Sequence, residues 1–289
     1  MDSAPLDSAP LDSAFYRDLS WQLTGQAGAA ALTGEVTSNP ACGGPWHPDL
    51  QHGGPPNALL VLAAERLAAA AAGRSDLQAV RLAAEFLGPV PVAPLALTAN
   101  VDRLSRTAAL VSATLAGPDG RTCLQARIWL LAPGERPAVA GVRSSEVGPD
   151  PAGWPSLDFD GFPYARHLRW HGVVGSPTQL GPAAAWIAAR IPLVAGETYT
   201  ALQRTALFAD SASGISAELS WDEWSFANVD LDLHLFQPAI GDWLLVDAVT
   251  ELGDGMALTR SRLSDRTGPV GAGMQTLLVR RHQRRLLAE

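Results

Sequence analysis

Asp230 and Gln275 both fall inside runs where apolar and polar residues alternate. Val229, Leu231, Leu233 and Leu235 keep the two-residue period of a half-buried strand around Asp230. Gln275 interrupts the last apolar run, 270–279. A carboxylate facing inward is costly unless it is paired or used. The two residues therefore mark a place for a general base and a hydrogen-bonding partner. The plain alternative for Asp230 is a strand-edge carboxylate in solvent. Asp210 is a second candidate acid, at the end of the apolar run Ala206-Leu207-Phe208-Ala209 in a predicted helix. Capping or a nearby partner would account for it equally well. His52-Gly53-Gly54 precedes another predicted helix. The positive end of that helix could receive a developing negative charge. His52 could polarise a group or only bond to its own loop.

The elements that must position these residues can be read in order. A strand is predicted over 30–37, then a loop rich in Pro and Gly over 38–54. Pro55 and Pro56 open a helix, as prolines can in a first turn. It runs to Ala72, stops at Gly73 and is apolar nearly all round, so it should be buried. Strands follow over 77–87, 95–104, 108–116 and 122–131, with Asp119-Gly120 as the turn between the last two. Residues 164–174 have strand character, and 183–191 could be strand or helix. A helix is expected over 201–215. Four more strands then form a meander, starting near Val229 and continuing over 244–249, 256–263 and 270–279. Asp265-Arg266-Thr267-Gly268 is the last hairpin turn.

Composition narrows the functional classes. The chain has 289 residues, a net charge of −8 and no lysine, so its 21 basic residues are all arginine. That argues against nucleic acid as a partner, since such proteins carry a basic footprint. Cys42 and Cys123 make neither a disulfide framework nor a zinc motif. No metal or organic cofactor is implied, and a cytoplasmic setting is expected. No membrane span is expected either, because the most apolar helix carries Glu65 and Arg66 and is too short. Residues 1–14 repeat DSAP-LDSAP and read as a disordered, low-complexity tail.

The two halves share one plan: strand, buried helix, four-strand meander. Gly120 and Gly268 fall at equivalent turns, and Leu95 falls on Trp243 at the same offset. This reads as an internal duplication. The fold class expected is α+β, a double hotdog of two antiparallel sheets, each wrapped on a long central helix. The units would be 15–132 and 163–289, with 133–162 as a linker. On this alignment Arg81 and Arg127 stand where the second half has Asp230 and Gln275. Only the second half would then supply the acid. Further pairing into a homo-oligomer is open.

These residues resemble the acyl-CoA thioesterase II-like proteins of the thioesterase superfamily. The second half carries the resemblance in Asp230, Phe236-Gln237-Pro238, Trp243, Asp265-Arg266-Thr267-Gly268 and Gln275. The first half carries it in His52-Gly53-Gly54, Glu85-Phe86-Leu87-Gly88-Pro89-Val90-Pro91 and Arg103 to Arg106. The resemblance implies hydrolysis of acyl-CoA to free acid and coenzyme A. It also implies an Asp–Thr/Ser–Gln trio that activates water: Asp230, Gln275 and a hydroxyl at Thr250, or one residue on at Glu251. Ser105 and Gln237 depart from the family pattern. Asp210 occupies the helix on which single hotdog thioesterases often carry their acid. Arg103 and Arg106 could meet the phosphates of coenzyme A, and His52, Gly53 and Gly54 the oxyanion. A non-catalytic acyl-thioester binding protein is the competing reading. A hydratase would need an Asp–His pair, for which only His234 has a plausible spacing.

Overall fold

The computed structural model describes residues 13–135, 150–176 and 178–282. Most of the predicted tail and part of the predicted linker lie outside the described residues. The first half runs β1 (Tyr16–Thr24), β2 (Ala31–Ser38), α1 (Gly54–Ala72), β3 (Gln78–Phe86), β4 (Pro94–Leu104), β5 (Ala108–Ala116) and β6 (Thr122–Leu131). After 150 come α2 (Pro163–Arg166), β7 (Leu168–Val174), β8 (Ala183–Ala189), α3 (Ala201–Ala209) and α4 (Ala212–Ile215). The chain ends with β9 (Trp224–Asn228), β10 (Asp230–Leu235), β11 (Leu244–Leu252), β12 (Met256–Asp265) and β13 (Gly268–Arg281). Among the described residues, no helix is long and apolar enough to cross a membrane.

All the strands belong to one antiparallel sheet. Its order is β1-β2-β4-β5-β6-β3-β10-β13-β12-β11-β8-β7, with β9 paired to β13. The order reads symmetrically outward from the central β3–β10 pair. This corrects the expectation of two sheets. β3 and β10 would each present a free edge, and open edges invite pairing. Here Asp230 to His234 pairs in register with Glu85 to Arg81 and satisfies both. Leu82 and Leu233, opposite each other in this pair, are fully buried.

The two halves differ in their helices. α1 is 19 residues long and Gly73 closes it at φ +62°, a left-handed cap that suits glycine. It packs against β4, β5 and β6 on the inner face of the sheet. The helix expected over 201–215 is instead two short pieces, so only the first half has a long central helix. α3 opens with a capping box in which Thr200 and Gln203 satisfy each other's backbone amides. Two strands were missed, β1 and β9. In β1, Asp18 takes φ +55° and the register slips between Arg17 and Ser20, which breaks the alternation a sequence reading needs.

Two contacts lock α1 to α3. Glu65 of α1 accepts hydrogen bonds from Thr200 Oγ1 (2.9 Å) and Gln203 Nε2 (2.6 Å). Burial pushes its carboxyl up to about 7, and those two donors pull it back. At the other end, α1 begins so close to α3 that a Cβ on Gly54 would lie 2.2 Å from the Leu207 carbonyl oxygen. No side chain fits there, and the obstacle is backbone, which cannot swing aside. Gly54→Ala is therefore expected to push the helices apart and destabilise the protein by about 1–3 kcal/mol. Urea denaturation of the variant against the wild type checks this.

Candidate active site

The approach of α1 and α3 brings the end of α3, in the second half, against the start of α1, in the first. Asp210 follows α3 directly and is 3 % exposed. Its Oδ1 accepts from Asn228 Nδ2 at 2.5 Å and from Gln275 Nε2 at 3.4 Å. The same Gln275 amide also donates to the Asp210 carbonyl at 3.2 Å, and Gln275 Oε1 accepts from Ser213 N at 3.2 Å. Asp210 Oδ2 lies 3.1 Å from His52 Nδ1. Gly53 also leaves little room, since a Cβ would lie 2.7 Å from both the Asp210 carboxylate and the Phe86 ring.

Burial raises the Asp210 carboxyl to about 7, while the Asn228 amide and the Gly53 and Gly54 backbone amides lower it. Desolvation is the largest effect because the carboxylate has lost its water and gained only neutral donors. The same burial lowers His52 to about 3, so the ring is neutral. Gly54 N–H donates to His52 Nδ1 at 3.1 Å, which puts the ring proton on Nε2. Nδ1 then faces Asp210 Oδ2 as an acceptor.

The trio centred on Asp230 does not assemble. Asp230 is on the outer face of the sheet, where its carboxylate accepts from Thr276 N (2.6 Å) and Thr276 Oγ1 (3.1 Å). Gln275, the preceding residue of β13, faces inward and is 1 % exposed. Neighbouring strand residues point to opposite faces. The cause is a slip of one residue: Asn228 pairs with Leu277, but Asp232 pairs with Met274. Such a bulge reverses which side chains face in. Asn228 turns inward to Asp210, Val229 is 45 % exposed, and Leu231 is buried again. Asn228, Ser213 and the His52–Asp210 contact were missed. An unbroken alternation hid the first, and nothing in the local sequence joins His52 to a residue of the other half.

The same alternation puts Thr250 and Glu251 on opposite faces. Thr250 is buried and Glu251 lies outside, paired with Arg260 at 3.0 Å. Thr250, Thr259 and Gln275 occupy one row across β11, β12 and β13. Thr250 Oγ1 is 2.8 Å from both Thr259 Oγ1 and Ser216 Oγ. It supports the row and does not line the cavity beside Asp210. Arg103 and Arg106 lie away from this site. The Arg106 carbonyl accepts from Arg74, just past the far end of α1, and α1 is roughly 28 Å long. Arg103 sits over the ring of Trp129.

Asp210, His52 and Gly53 line a cavity of about 320 Å³. Its other walls are mostly apolar, including Trp46, Phe86, Trp221, Phe226 and the run Leu87 to Val90. This is the composition of a small-molecule site, in which a few polar groups orient a mainly apolar ligand. Among the described residues, no group of three His, Cys, Asp or Glu could hold a metal ion.

Comparison with known proteins identifies the family and the fold. Residues 43–131 match the acyl-CoA thioesterase N-terminal domain, and residues 142–279 match the acyl-CoA thioesterase C-terminal domain. No curated protein matches the chain. Among solved structures, a hot dog fold protein from Alicyclobacillus acidocaldarius is similar at 16 % identity and a TM-score of 0.69, covering 96 % of this chain and 99 % of that one. A TesB protein from Mycobacterium avium subsp. paratuberculosis is similar at 16 % identity and a TM-score of 0.65, covering 90 % and 96 %. The acyl-CoA thioesterase II TesB2 from Mycobacterium marinum is similar at 16 % identity and a TM-score of 0.61, covering 95 % and 98 %. These likenesses establish the hotdog fold. With both halves matched in order over most of its length, the chain belongs to the acyl-CoA thioesterase family and is a thioester hydrolase.

Proposed function

We propose that the chain hydrolyses acyl-CoA thioesters in the cleft between its halves, with Asp210 as the general base. The observation that carries this is a buried carboxyl, raised to about 7, at an apolar cavity beside the start of a 19-residue helix. Ionised Asp210 takes a proton from water, whose oxygen attacks the thioester carbon. The positive end of α1 favours the negative charge that develops on the carbonyl oxygen. Collapse breaks the C–S bond, and the proton on Asp210 passes to the departing sulfur. Gln275 and Asn228 hold the carboxylate in place, and Thr250 belongs to the row behind Gln275.

We also read the chain as an internally doubled hotdog, residues 15–132 and 163–289, joined by 133–162. The symmetric strand order supports this. On this reading each half supplies part of one site: His52, Gly53 and Gly54 from the first, and Asp210, Asn228 and Gln275 from the second. The His52–Asp210 contact favours a second reading, addition of water to an enoyl thioester. An assay with 2-enoyl-CoA separates the two reactions, because hydration consumes the double bond and releases no thiol.

Asp210→Asn is expected to lower thiol release from acyl-CoA by about 100- to 10,000-fold, the usual worth of a positioned base. Asp230→Asn should change it by less than about threefold, because its carboxylate only bridges two strands. A binding protein without activity would release no thiol in any form but would be stabilised thermally by acyl-CoA.

The pH dependence follows from the direction of the shift. The base form of Asp210 is the active one, so kcat/KM should rise with pH and level off above about 7. Stability moves the other way. The folded-state value lies above the unfolded one, so the unfolded chain loses this proton first, and stability falls as pH rises from about 4 to 7. Asp210→Asn removes that fall. The variant should gain stability on the order of 2–4 kcal/mol relative to wild type between pH 4 and pH 8, measured by denaturation at both pH values.

A further inference from the structure

We infer that the acyl group taken by this cavity carries a planar ring rather than a straight chain. The inference rests on the hydrolytic reading and names its substrate class. Aromatic rings run from the buried acid to the surface in a nearly parallel series. The His52 ring lies on Tyr164 at 3.8 Å and 7°, and Phe162 follows at 5.9 Å and 11°. Trp221 follows Phe162 at 6.3 Å and 27°, and Trp46 closes the series on Trp221 at 5.2 Å and 21°. Phe226 meets both indoles edge-on, at 4.8 Å and 71° and at 5.0 Å and 85°. His52, Trp46, Trp221 and Phe226 all line the cavity.

Three physical consequences point to a ring. Rings packed on rings are held in place, so this wall offers fixed faces and edges. An aromatic ligand gains from such a surface beyond the area it buries, through the ring quadrupoles. A straight chain gains area only and loses rotamer freedom with each methylene it orders. Trp46 gives the third argument. It is 37 % exposed on the loop before α1, yet it is stacked on a residue of the other half. A core role does not account for an exposed indole at a cavity mouth, whereas a ligand-facing role does. Among the described residues no Arg lines this cavity, so nothing there would pair with an anionic group on the ring. The substrate class is an aryl-acyl thioester with a neutral ring. Water adds across its C–S bond to give the aryl acid and the thiol.

The test compares phenylacetyl-CoA with octanoyl-CoA, which have equal numbers of acyl carbons. Wild type should favour the aryl substrate in kcat/KM by about 2- to 10-fold. Trp46→Leu and Trp221→Leu should each bring that ratio towards one. Trp46 is exposed, so its variant keeps the fold even where Trp221→Leu does not. A preference for octanoyl-CoA in wild type, or a ratio unchanged in Trp46→Leu, overturns the inference. Binding separates this failure from failure of the catalytic reading. Tryptophan fluorescence of wild type and Asp210→Asn is titrated with phenylacetate and with octanoate. Tighter phenylacetate binding supports the ring inference even where no thioester is cleaved. Equal or weaker phenylacetate binding, with thioesters still cleaved through Asp210, overturns the ring inference and leaves the catalytic reading standing.

Discussion

The burial of Asp210 against the start of α1 is the constraint on which the rest of the structure depends. A carboxyl with 3 % exposure has given up its water, and ionising it there is costly unless fixed dipoles replace the solvent. The fold supplies those dipoles from three places: the Gly53 and Gly54 amides, the Asn228 side chain and the Gln275 side chain. All are neutral. They hold the group without fully ionising it, which leaves it titrating near neutral pH, as the proposed base requires. A single arginine beside it would have favoured the carboxylate far more strongly and made it a poorer base.

Much of the surrounding architecture keeps that group where it is. α3 ends at Asp210, so its position is set by how α3 lies on α1. Glu65 clamps the start of α3, and the missing side chains at Gly53 and Gly54 let its end reach the first turn of α1. The β3–β10 pair fixes the two halves of the sheet beneath. A site shared between halves needs such a rigid seam, because a small displacement there would separate donor from acceptor. The acid is a stability cost at neutral pH and above, and the buried core around it carries that cost.

The rings around the cavity make a second use of the same seam. Trp46 and His52 come from the first half, while Phe162, Trp221 and Phe226 follow residue 150. Their stacking lines the cavity with rigid side chains, not with flexible aliphatic ones.

The residue pattern by itself determined the strands of both meanders, the apolar α1 with its proline entry and glycine stop, and the ordered motifs that mark the family. These depend on periods of two and 3.6 residues and on turn chemistry, all of which are local. It also singled out Gln275 and the His52-Gly53-Gly54 turn, but it put Asp230 ahead of Asp210 as the acid they would meet. Which acid they do meet was decided by a slip of one residue between β9 and β10, which turned Asn228 in and Asp230 out. A bulge costs one residue of register and leaves little trace in an alternating pattern. The joining of two sheets into one, the His52–Asp210 contact and the ring series were likewise settled only by tertiary structure. Each depends on backbone edges or side chains far apart in the chain, and no local period records which of them meet.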